Sequence, residues 1–353
     1  MRKIIHIDMD CFFAAVEMRE DPSLLSVPLA IGGAAERRGV ISTCNYVARR
    51  FGIHSAMATA HARRLCPELV VLPGRMALYQ QVSCQLRAIF ARYATRVEPM
   101  SLDEAYLDVT DSPLYRGSAT LIAEAIRADI RRELGLTASA GVAPNKFLAK
   151  IASDLNKPDG LFVLPPEQVA TFVARLPLKK IPGIGAKTAE RLATLGLHCG
   201  ADVLAYPAHE LLRQFGKCGQ MLLQRVRGID QRPVEVEHVR KSVGVEVTLP
   251  ADLHQWQQAA EVLSELQREL LRRLEKHRAQ RGIASLGVKL KFSDFTQTCV
   301  ERRSQGIEPE QLRAQLQQAW SRGAGKGVRL VGIVAGLQAP VQSSDACQLA
   351  LEW

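Results

Sequence analysis

Three acidic residues, Asp8, Asp103 and Glu104, are the side chains of this sequence that could perform chemistry together. Magnesium prefers a few carboxylate oxygens completed by water and substrate phosphates, so acids that meet at one strand edge would form a metal site for phosphoryl or nucleotidyl transfer. The alternative is that Asp8 and Asp10 only solvate the end of a strand and that Asp103 and Glu104 only occupy a turn. Without further motifs the two interpretations carry equal weight.

The order of the predicted elements brings these acids together. Apolar periodicity and turn signals predict a strand at 4–9, a helix at 76–93, strands at 95–98 and 104–109, a helix from Ser118 to Gly135 and a strand at 136–142. This β-α-β-β-α-β order is typical of the ferredoxin-like arrangement, in which the first and third strands are neighbours at the sheet centre. Asp8 is therefore expected near Asp103 and Glu104, and beside the turn at Pro99 the pleat can relax so that both of these acids converge.

The rest of the chain predicts further domains. Residues 11–74 are too long for a loop and must form a subdomain. Short helices with Pro and Gly turns begin near residue 166, and residues 231–241 are typical of an extended charged linker. Beyond it the β-α-β-β-α-β count recurs without a sequence repeat, over 242–248, 254–277, 284–292, 295–301, 308–320 and 328–337.

Composition indicates a folded protein with a polyanionic partner. The chain has 353 residues, of which 47% are hydrophobic, so we expect two to four packed domains. Lys and Arg outnumber Asp and Glu by 20 to 17 in residues 1–165, by 12 to 7 in 166–241 and by 14 to 10 in 242–340. Charge alone leaves ribosomal, nucleic-acid and membrane-surface functions open.

Cysteine usage and the N-terminus predict a cytoplasmic location. The eight cysteines form no C-x-x-C pair and do not cluster with the eight histidines, so neither a zinc site nor a disulfide framework is predicted. No apolar run approaches the roughly 20 residues of a membrane span. Asp8 also stands where a signal peptide would be apolar.

Two segments carry a resemblance to a known family. Residues 7–17, IDMDCFFAAVE, and residues 101–108, SLDEAYLD, resemble the two metal motifs of Y-family DNA polymerases, and the resemblance extends over essentially the whole chain. It implies that Asp8 and Asp103 bind two magnesium ions together with the backbone carbonyl of Met9. It also implies that Glu104 serves one metal and the attacking 3′-hydroxyl. The metal site is then favoured over the solvated turn.

Two adjacent aromatic residues follow the first metal motif. Adjacent aromatic residues most often belong to a core, and Phe12 is interpreted as a core residue. Phe12 is also predicted to be one of the nucleotide-binding residues. Phe13 matches the family's steric gate, a flat ring that would clash with the 2′-hydroxyl of an incoming ribonucleotide. The resemblance therefore implies synthesis of DNA.

A triphosphate grip is implied by three further positions. Tyr46 and Arg49 lie three residues apart, on one face of a helical turn, and a guanidinium group suits phosphate oxygens. By resemblance these two residues and Lys157 bind the incoming nucleotide. Lys146 and Lys150 are open to two interpretations, as further contacts of the triphosphate or as solvated helix charges.

Two later segments predict sequence-independent contacts with duplex DNA. The run IPGIG at 181–185, followed by a helix, matches a helix-hairpin-helix, whose glycine turns let backbone N–H groups approach a phosphate. Gly183, Gly185 and Lys187 are the predicted contacts there. In the last domain Lys289 and Lys291 alternate with apolar residues, so one sheet face is expected to be buried and the other basic.

The C-terminus resembles a clamp-binding peptide. Residues 348–353, QLALEW, offer a glutamine and apolar anchors, and by resemblance Gln348, Leu349, Leu351 and Trp353 would dock in a cleft of the sliding clamp. Glu352 departs from the usual run of hydrophobic residues.

The family implies an α+β right-hand polymerase, with a ferredoxin-like palm, small fingers, a helix-hairpin-helix thumb and a second βαββαβ domain called the little finger. The predicted boundaries are palm 1–10 and 75–165, fingers 11–74, thumb 166–230, linker 231–241, little finger 242–340 and tail 341–353.

The implied activity is template-directed addition of dNTPs to a primer 3′-end, of low fidelity and able to cross lesions, by a monomer without a proofreading exonuclease. The primer-template, the dNTPs and the clamp are the expected partners. A nucleotidyl cyclase and a non-catalytic DNA-binding scaffold are the rival functions, because fold does not fix function.

Overall fold

The computed structural model describes residues 1–237, 239–278 and 281–339. It divides into two compact units, built mainly from residues 1–237 and from residues 239–339. Both units mix helices with mostly antiparallel sheets, which confirms the predicted α+β class. Among the helices of the described ranges, none combines the length and the apolar character of a membrane span.

The strands are β1 (Ile4–Met9), β2 (Leu29–Gly32), β3 (Ile41–Cys44), β4 (Val70–Leu72), β5 (Arg96–Pro99), β6 (Glu104–Asp108), β7 (Ala138–Ala143), β8 (Leu161–Val163), β9 (Ser242–Leu253), β10 (Ile283–Phe292), β11 (Gln297–Arg303) and β12 (Val328–Leu337).

The α-helices are α1 (Phe12–Glu20), α2 (Tyr46–Arg49), α3 (Thr59–Leu65), α4 (Met76–Ala91), α5 (Ala119–Leu134), α6 (Lys146–Leu155), α7 (Val169–Arg175), α8 (Ala186–Ala193), α9 (Gly200–Ala205), α10 (Ala208–Phe215), α11 (Lys217–Arg225), α12 (Trp256–Arg278) and α13 (Pro309–Ser321).

The palm sheet has the strand order β5-β6-β1-β7-β8. β1 lies between β6 and β7 and is antiparallel to both, so the predicted neighbourhood of the first and third strands is confirmed. The register of β1 against β6 places Asp8 directly opposite Glu104. β8, a short edge strand parallel to β7, is an addition to the predicted sheet.

Helix α5 begins and ends as the sequence predicts. The Ser118 hydroxyl accepts a hydrogen bond from the Leu121 N–H at the N-terminus, and Gly135 ends the helix with a left-handed φ of 63°. With α4, this helix covers one face of the palm sheet, where Ile5, Ile7 and Met9 of β1 lie in the main core.

The opposite face of β1 carries His6 and Asp8, because successive side chains of a strand alternate between the faces. Helix α6 packs against this face. A Cβ at Gly141 in β7 would stand 2.1 Å from the Ala149 carbonyl oxygen of α6, so only glycine lets the helix lie this close to the sheet. The close approach carries the polar side chains of α6 toward the acids.

The segment predicted as fingers contains a small sheet of its own, in the order β3-β2-β4, with a separate apolar core. The segment predicted as thumb is built from the short helices α7 to α11 around a shared core. Both agree with the predicted fold class, and the individual domain boundaries stay predictions.

The last domain has the predicted element order but a different sheet from the palm. Its strand order is β11-β10-β12-β9, so the first strand, β9, pairs with the fourth, β12, at one edge. Helix α13 packs on β10, whose residues Leu286, Val288, Leu290 and Phe292 are buried, as their alternation predicts.

Candidate active site

The predicted acids meet where β1 ends beside β6. Asp8 and Glu104 face each other across the strand pair, and a ligand atom of each lies within 4.8 Å of the other. Asp103 stands outside this close group but lines the same cavity as Asp8. Its carbonyl accepts from the Met9 N–H at 3.1 Å, and its carboxylate accepts from the Ser101 hydroxyl at 2.5 Å. The turn before β6 therefore holds Asp103 against the end of β1.

Two lysines neutralise the facing carboxylates. Lys157 Nζ lies 2.5 Å from Asp8 Oδ1, and Lys150 forms an ion pair with Glu104. Burial raises the pKa of Asp8, and Lys157 opposes this effect. The close approach of His6 lowers the pKa of Glu104 to about 2, burial opposes it, and the Lys150 ammonium adds to the lowering. The two carboxylates therefore lie in different electrostatic surroundings, and Glu104 is ionised at any ordinary pH.

The interpretation of Lys146 and Lys150 as solvated helix charges is wrong. Lys146 is buried, and its Nζ lies 2.5 Å from Glu98 Oε2. Lys150 reaches Glu104 from the same helix. Both residues lie on the face of α6 that packs on the sheet, where an unpaired ammonium would be costly, and each has a carboxylate as partner.

His6 is a buried imidazole beside the acids. Its Nδ1 lies 2.8 Å from Ser153 Oγ of α6, and its ring lies 4.6 Å from the Tyr106 ring. Burial lowers the pKa of His6. Nε2 faces Glu104 Oε2 at 3.4 Å and makes no hydrogen bond to any residue of the described ranges. An unpartnered buried nitrogen next to two carboxylates is a donor set that fits a divalent cation.

A cavity of about 320 Å³ opens beside the acids. Most of the residues predicted for metal and nucleotide binding line it, namely Asp8, Met9, Phe12, Phe13, Arg49, Asp103 and Lys157. Cys11, Ser42, Thr43 and Ser55 complete the lining and extend the predicted set. The fold therefore gathers one acid pair, two cations and two aromatic rings around a single space.

The Phe13 ring rests on Tyr79 of α4, with ring centroids 4.3 Å apart and planes 14° apart. Tyr79 is fully buried, and its hydroxyl donates to Glu17 Oε1 at 2.6 Å. Arg75 Nε donates to the same carboxylate at 2.9 Å. Burial raises the pKa of Glu17, but the hydrogen bonds from Arg75 and Tyr79 outweigh burial and leave that pKa lowered. Phe13 is thus supported by a ring that is itself held in place.

Phe12 is 2% exposed and belongs to the main core, as interpreted from the sequence. Tyr46 and Arg49 do share one face of a helical turn, and the guanidinium of Arg49 lies 4.5 Å from the centre of the Tyr46 ring. Arg49 Nε also donates to the Cys44 carbonyl at 3.2 Å. Asn45 caps this turn by accepting from the Ala48 N–H.

Sequence reasoning missed three residues of this site. His6 could have been found from the alternation of β1, which puts it on the same face as Asp8. Asp10 enters the sequence argument only through the alternative in which it solvates a strand end, and its 2% exposure contradicts that alternative. Tyr79 carries no local signal, since only the packing of α4 on α1 brings it under Phe13.

The helix-hairpin-helix segment has the conformation that its glycines predict. Gly183 has a φ of 97°, a left-handed value that favours glycine, and Gly185 directly precedes α8. No atom of the described part of the chain lies within 4 Å of a Cβ built at Gly185, and Lys187 is exposed. Packing within the chain therefore does not explain Gly185, whereas the approach of an external backbone would.

In the little finger Lys289 and Lys291 lie on the sheet face opposite the buried one. Lys289 Nζ lies 2.9 Å from Glu246 Oε2, and Lys291 Nζ lies 5.3 Å from the centre of the Phe295 ring. The four predicted clamp contacts, Gln348, Leu349, Leu351 and Trp353, lie outside the described residues.

Three family descriptions match the chain. The impB/mucB/samB family matches residues 7–154, the helix-hairpin-helix motif of the same family matches residues 166–197, and its C-terminal domain matches residues 240–351. The matched segments cover both metal motifs and both predicted DNA-holding regions.

Solved structures and sequence relatives agree with this family. A chimera of the Y-family DNA polymerases Dbh and Dpo4 has a TM-score of 0.87 and 29% identity, over 95% of this chain and 98% of that one. DinB from Sulfolobus solfataricus has a TM-score of 0.65 and 28% identity over 95% and 98%. The chain therefore belongs to the Y family of DNA polymerases.

Within that family the chain is similar to enzymes called DNA polymerase IV. The DNA polymerase IV of Shewanella oneidensis is 57% identical over 337 residues, which are 96% of this chain and 94% of the relative. That of Aeromonas hydrophila is 57% identical over 352 residues, which are 100% of this chain and 99% of the relative.

Removing the support of the Tyr79 ring should destabilise the protein. Glu17→Ala leaves the buried Tyr79 hydroxyl without its acceptor, so we expect the free energy of unfolding in urea to fall by about 1–3 kcal/mol. The control Glu20→Ala removes an exposed acid of the same helix and should change it by about 0.5 kcal/mol or less. Equal effects of the two substitutions would contradict the described network.

Proposed function

We propose that this chain extends a primer on a DNA template by adding deoxynucleotides to the 3′-end with release of pyrophosphate, and that it does so across damaged templates. The observation that carries this proposal is the cavity that Asp8, Asp103, Phe13 and Lys157 line together. The 57% identity with DNA polymerase IV enzymes over almost the whole chain supports it.

The acids would hold the metals of the reaction. Asp8 and Asp103 would bind two magnesium ions with the Met9 carbonyl, and Glu104 would contact one ion and the 3′-hydroxyl. When bound, such ions lower the pKa of the attacking hydroxyl and neutralise charge on the leaving group. The low pKa of Glu104 suits this role, because a carboxylate that stays ionised can accept from the hydroxyl.

The remaining residues of the cavity would bind and select the nucleotide. Arg49 and Lys157 supply positive charge for the triphosphate oxygens, and Tyr46 lies against Arg49. Phe13, fixed on Tyr79, would exclude a 2′-hydroxyl. Phe12 would contribute the wall behind Phe13 and not a direct polar contact.

The later domains would hold the duplex without reading its sequence. Gly183, Gly185 and Lys187 would contact one backbone through the hairpin, and Lys289 and Lys291 would contact the duplex from the basic sheet face. A nucleotidyl cyclase has no use for these two regions. Family membership over the whole chain likewise disfavours that rival.

Primer extension tests the proposed activity. With magnesium, dNTPs and a short primer-template, the wild type should extend the primer, and Asp103→Ala should lower the rate by about a thousandfold, because a metal ligand contributes several kcal/mol to the transition state. Asp111→Ala, an exposed acid elsewhere in the palm, should leave the rate unchanged. Extension by Asp103→Ala at the wild-type rate would reject the metal role.

The gate role of Phe13 predicts a change of sugar selectivity. Phe13→Val should raise kcat/KM for ribonucleotides relative to deoxynucleotides by about 10- to 200-fold, the range in which a pocket discriminates by size. Phe13→Tyr keeps the ring and should keep the selectivity. If the valine variant selects as the wild type does, Phe13 is ordinary core.

The C-terminal residues Gln348, Leu349, Leu351 and Trp353 would dock on a sliding clamp, and the polymerase itself would act as a monomer. Deleting residues 348–353 should abolish stimulation of primer extension by the clamp and leave the basal rate unchanged. Stimulation that survives the deletion would remove this assignment.

A further inference from the structure

Asp10 is a buried carboxylate that the proposed chemistry leaves without a role. It lies two residues beyond Asp8, directly after β1, and is 2% exposed. No ion pair to it is found among the described residues, and its partners there are hydrogen-bond donors. A buried carboxylate of this kind is costly unless its oxygens are well satisfied.

Four donors surround the Asp10 carboxylate. Ser139 Oγ of β7 donates to Oδ1 at 2.8 Å, and Thr137 Oγ1, directly before β7, donates to Oδ2 at 2.8 Å. The Asp159 backbone N–H donates to Oδ2 at 2.8 Å. The Tyr46 hydroxyl lies 3.4 Å from Oδ1. Three separate parts of the chain therefore meet at one side chain.

Two of these parts carry the residues proposed to bind the triphosphate. Tyr46 opens α2 and lies against Arg49, whose guanidinium faces the cavity. Asp159 lies two residues after Lys157, in the loop that joins α6 to β8. Asp10 thus touches two segments that each carry a residue lining the nucleotide space, Arg49 and Lys157, and Asp8 of the same strand end lines it as well.

The loop that carries Lys157 is fixed from its other side as well. The Asp159 carboxylate pairs with Arg127 at 2.8 Å and with Arg131, and Arg127 also donates to the Ala138 carbonyl at 2.9 Å. The side chain of Asp159 is therefore bound to α5. The contact of Asp159 with Asp10 is made by its backbone N–H. An N–H can only donate a hydrogen bond, whereas a hydroxyl can donate or accept one.

We propose that Asp10 is a positioning residue for the incoming nucleotide: it sets the Lys157 loop, and to a smaller extent Tyr46 with Arg49, relative to the catalytic carboxylate Asp8. This inference rests on the proposed function. The carboxylate is acceptor-only, so it can satisfy all four donors at once. Its loss would leave the Asp159 N–H without an acceptor and release the loop on the side of Asp8, while Arg127 and Arg131 would still hold Asp159 from α5.

Steady-state insertion of a single nucleotide tests this role. Asp10→Ala should raise KM for the dNTP about 10- to 100-fold, as expected for losing hydrogen bonds to a charged group, and change kcat by less than about threefold, because Asp8, Asp103 and Glu104 are retained. Asp10→Asn keeps an acceptor for the loop through its amide oxygen and should raise KM less than alanine does.

A matched control separates positioning from general damage. Asp129 is also a buried palm carboxylate, which accepts from the Tyr93 hydroxyl at 2.6 Å and pairs with Arg92 and Arg132. Asp129→Ala should lower the stability of the fold and leave KM for the dNTP unchanged. A similar rise of KM in both alanine variants would overturn the proposal.

Coupling to Lys157 gives the sharpest test. We expect the fold increase in KM caused by Asp10→Ala to be smaller in a Lys157→Ala background than in the wild type, by about threefold or more. The reason is that the loop then has no ammonium group to place. Equal factors in the two backgrounds would overturn the proposal. If the wild type does not extend primers at all, the proposed function fails. If it does and both Asp10 variants keep the wild-type KM, only the role of Asp10 fails.

If Asp10→Ala does not fold, the KM of Asp10→Asn alone tests the positioning role. A KM raised about threefold or more, with the folded fraction checked by urea unfolding, supports the positioning role, since a neutral acceptor binds its donors more weakly. A KM equal to that of the wild type overturns it.

Discussion

The register of β1 against β6 is the constraint on which the rest of the site depends. It sets Asp8 opposite Glu104, and a slip of one residue would turn every side chain of β1 to the other face. Like charges directly opposite each other across a strand pair destabilise a sheet. Lys157 and Lys150 offset that repulsion by pairing with one carboxylate each. The protein therefore keeps two acids close together by pairing each with a lysine, and one of these lysines, Lys157, also lines the cavity.

Helix α6 provides much of the positive charge that offsets this repulsion, and the glycine at position 141 of β7 allows it to do so. Because Gly141 has no Cβ, the helix can lie directly on β7, and its polar residues reach across to β1 and β6. Lys150 meets Glu104, and Ser153 meets His6. The face of α6 thus contributes to the electrostatics of the site without contributing a predicted ligand. The pairing of Lys146 with Glu98 repeats the same arrangement nearby.

Much of this arrangement could be predicted from the sequence, because the relevant signals are local. The alternation of β1, the Ser118 cap and the Gly135 end of α5 follow from short-range rules, and the β-α-β-β-α-β order then makes the first and third strands neighbours. The family resemblance added the division of roles among the acids, which spacing alone left open. Their individual roles stay predictions.

The remainder depends on tertiary contacts that no local pattern encodes. The little finger shares the element order of the palm, yet its first strand, β9, lies at the sheet edge and not beside its third strand, β11, because element order does not determine strand order. Asp10 and Lys146 look like surface charges in the sequence and are buried in the fold. Tyr79 lies under Phe13 because two helices pack together. In each case the deciding partner is distant in the chain.

We expect Asp8, Asp103 and Glu104 to form one metal site that faces the nucleotide held by Arg49 and Lys157. A crystal structure with primer-template, magnesium, an incoming dNTP and a primer that lacks its 3′-hydroxyl tests it most directly. Electron density should show cations bound by Asp8 and Asp103 and the sugar of the nucleotide against Phe13. Cations bound elsewhere, or a nucleotide outside this cavity, would contradict the account.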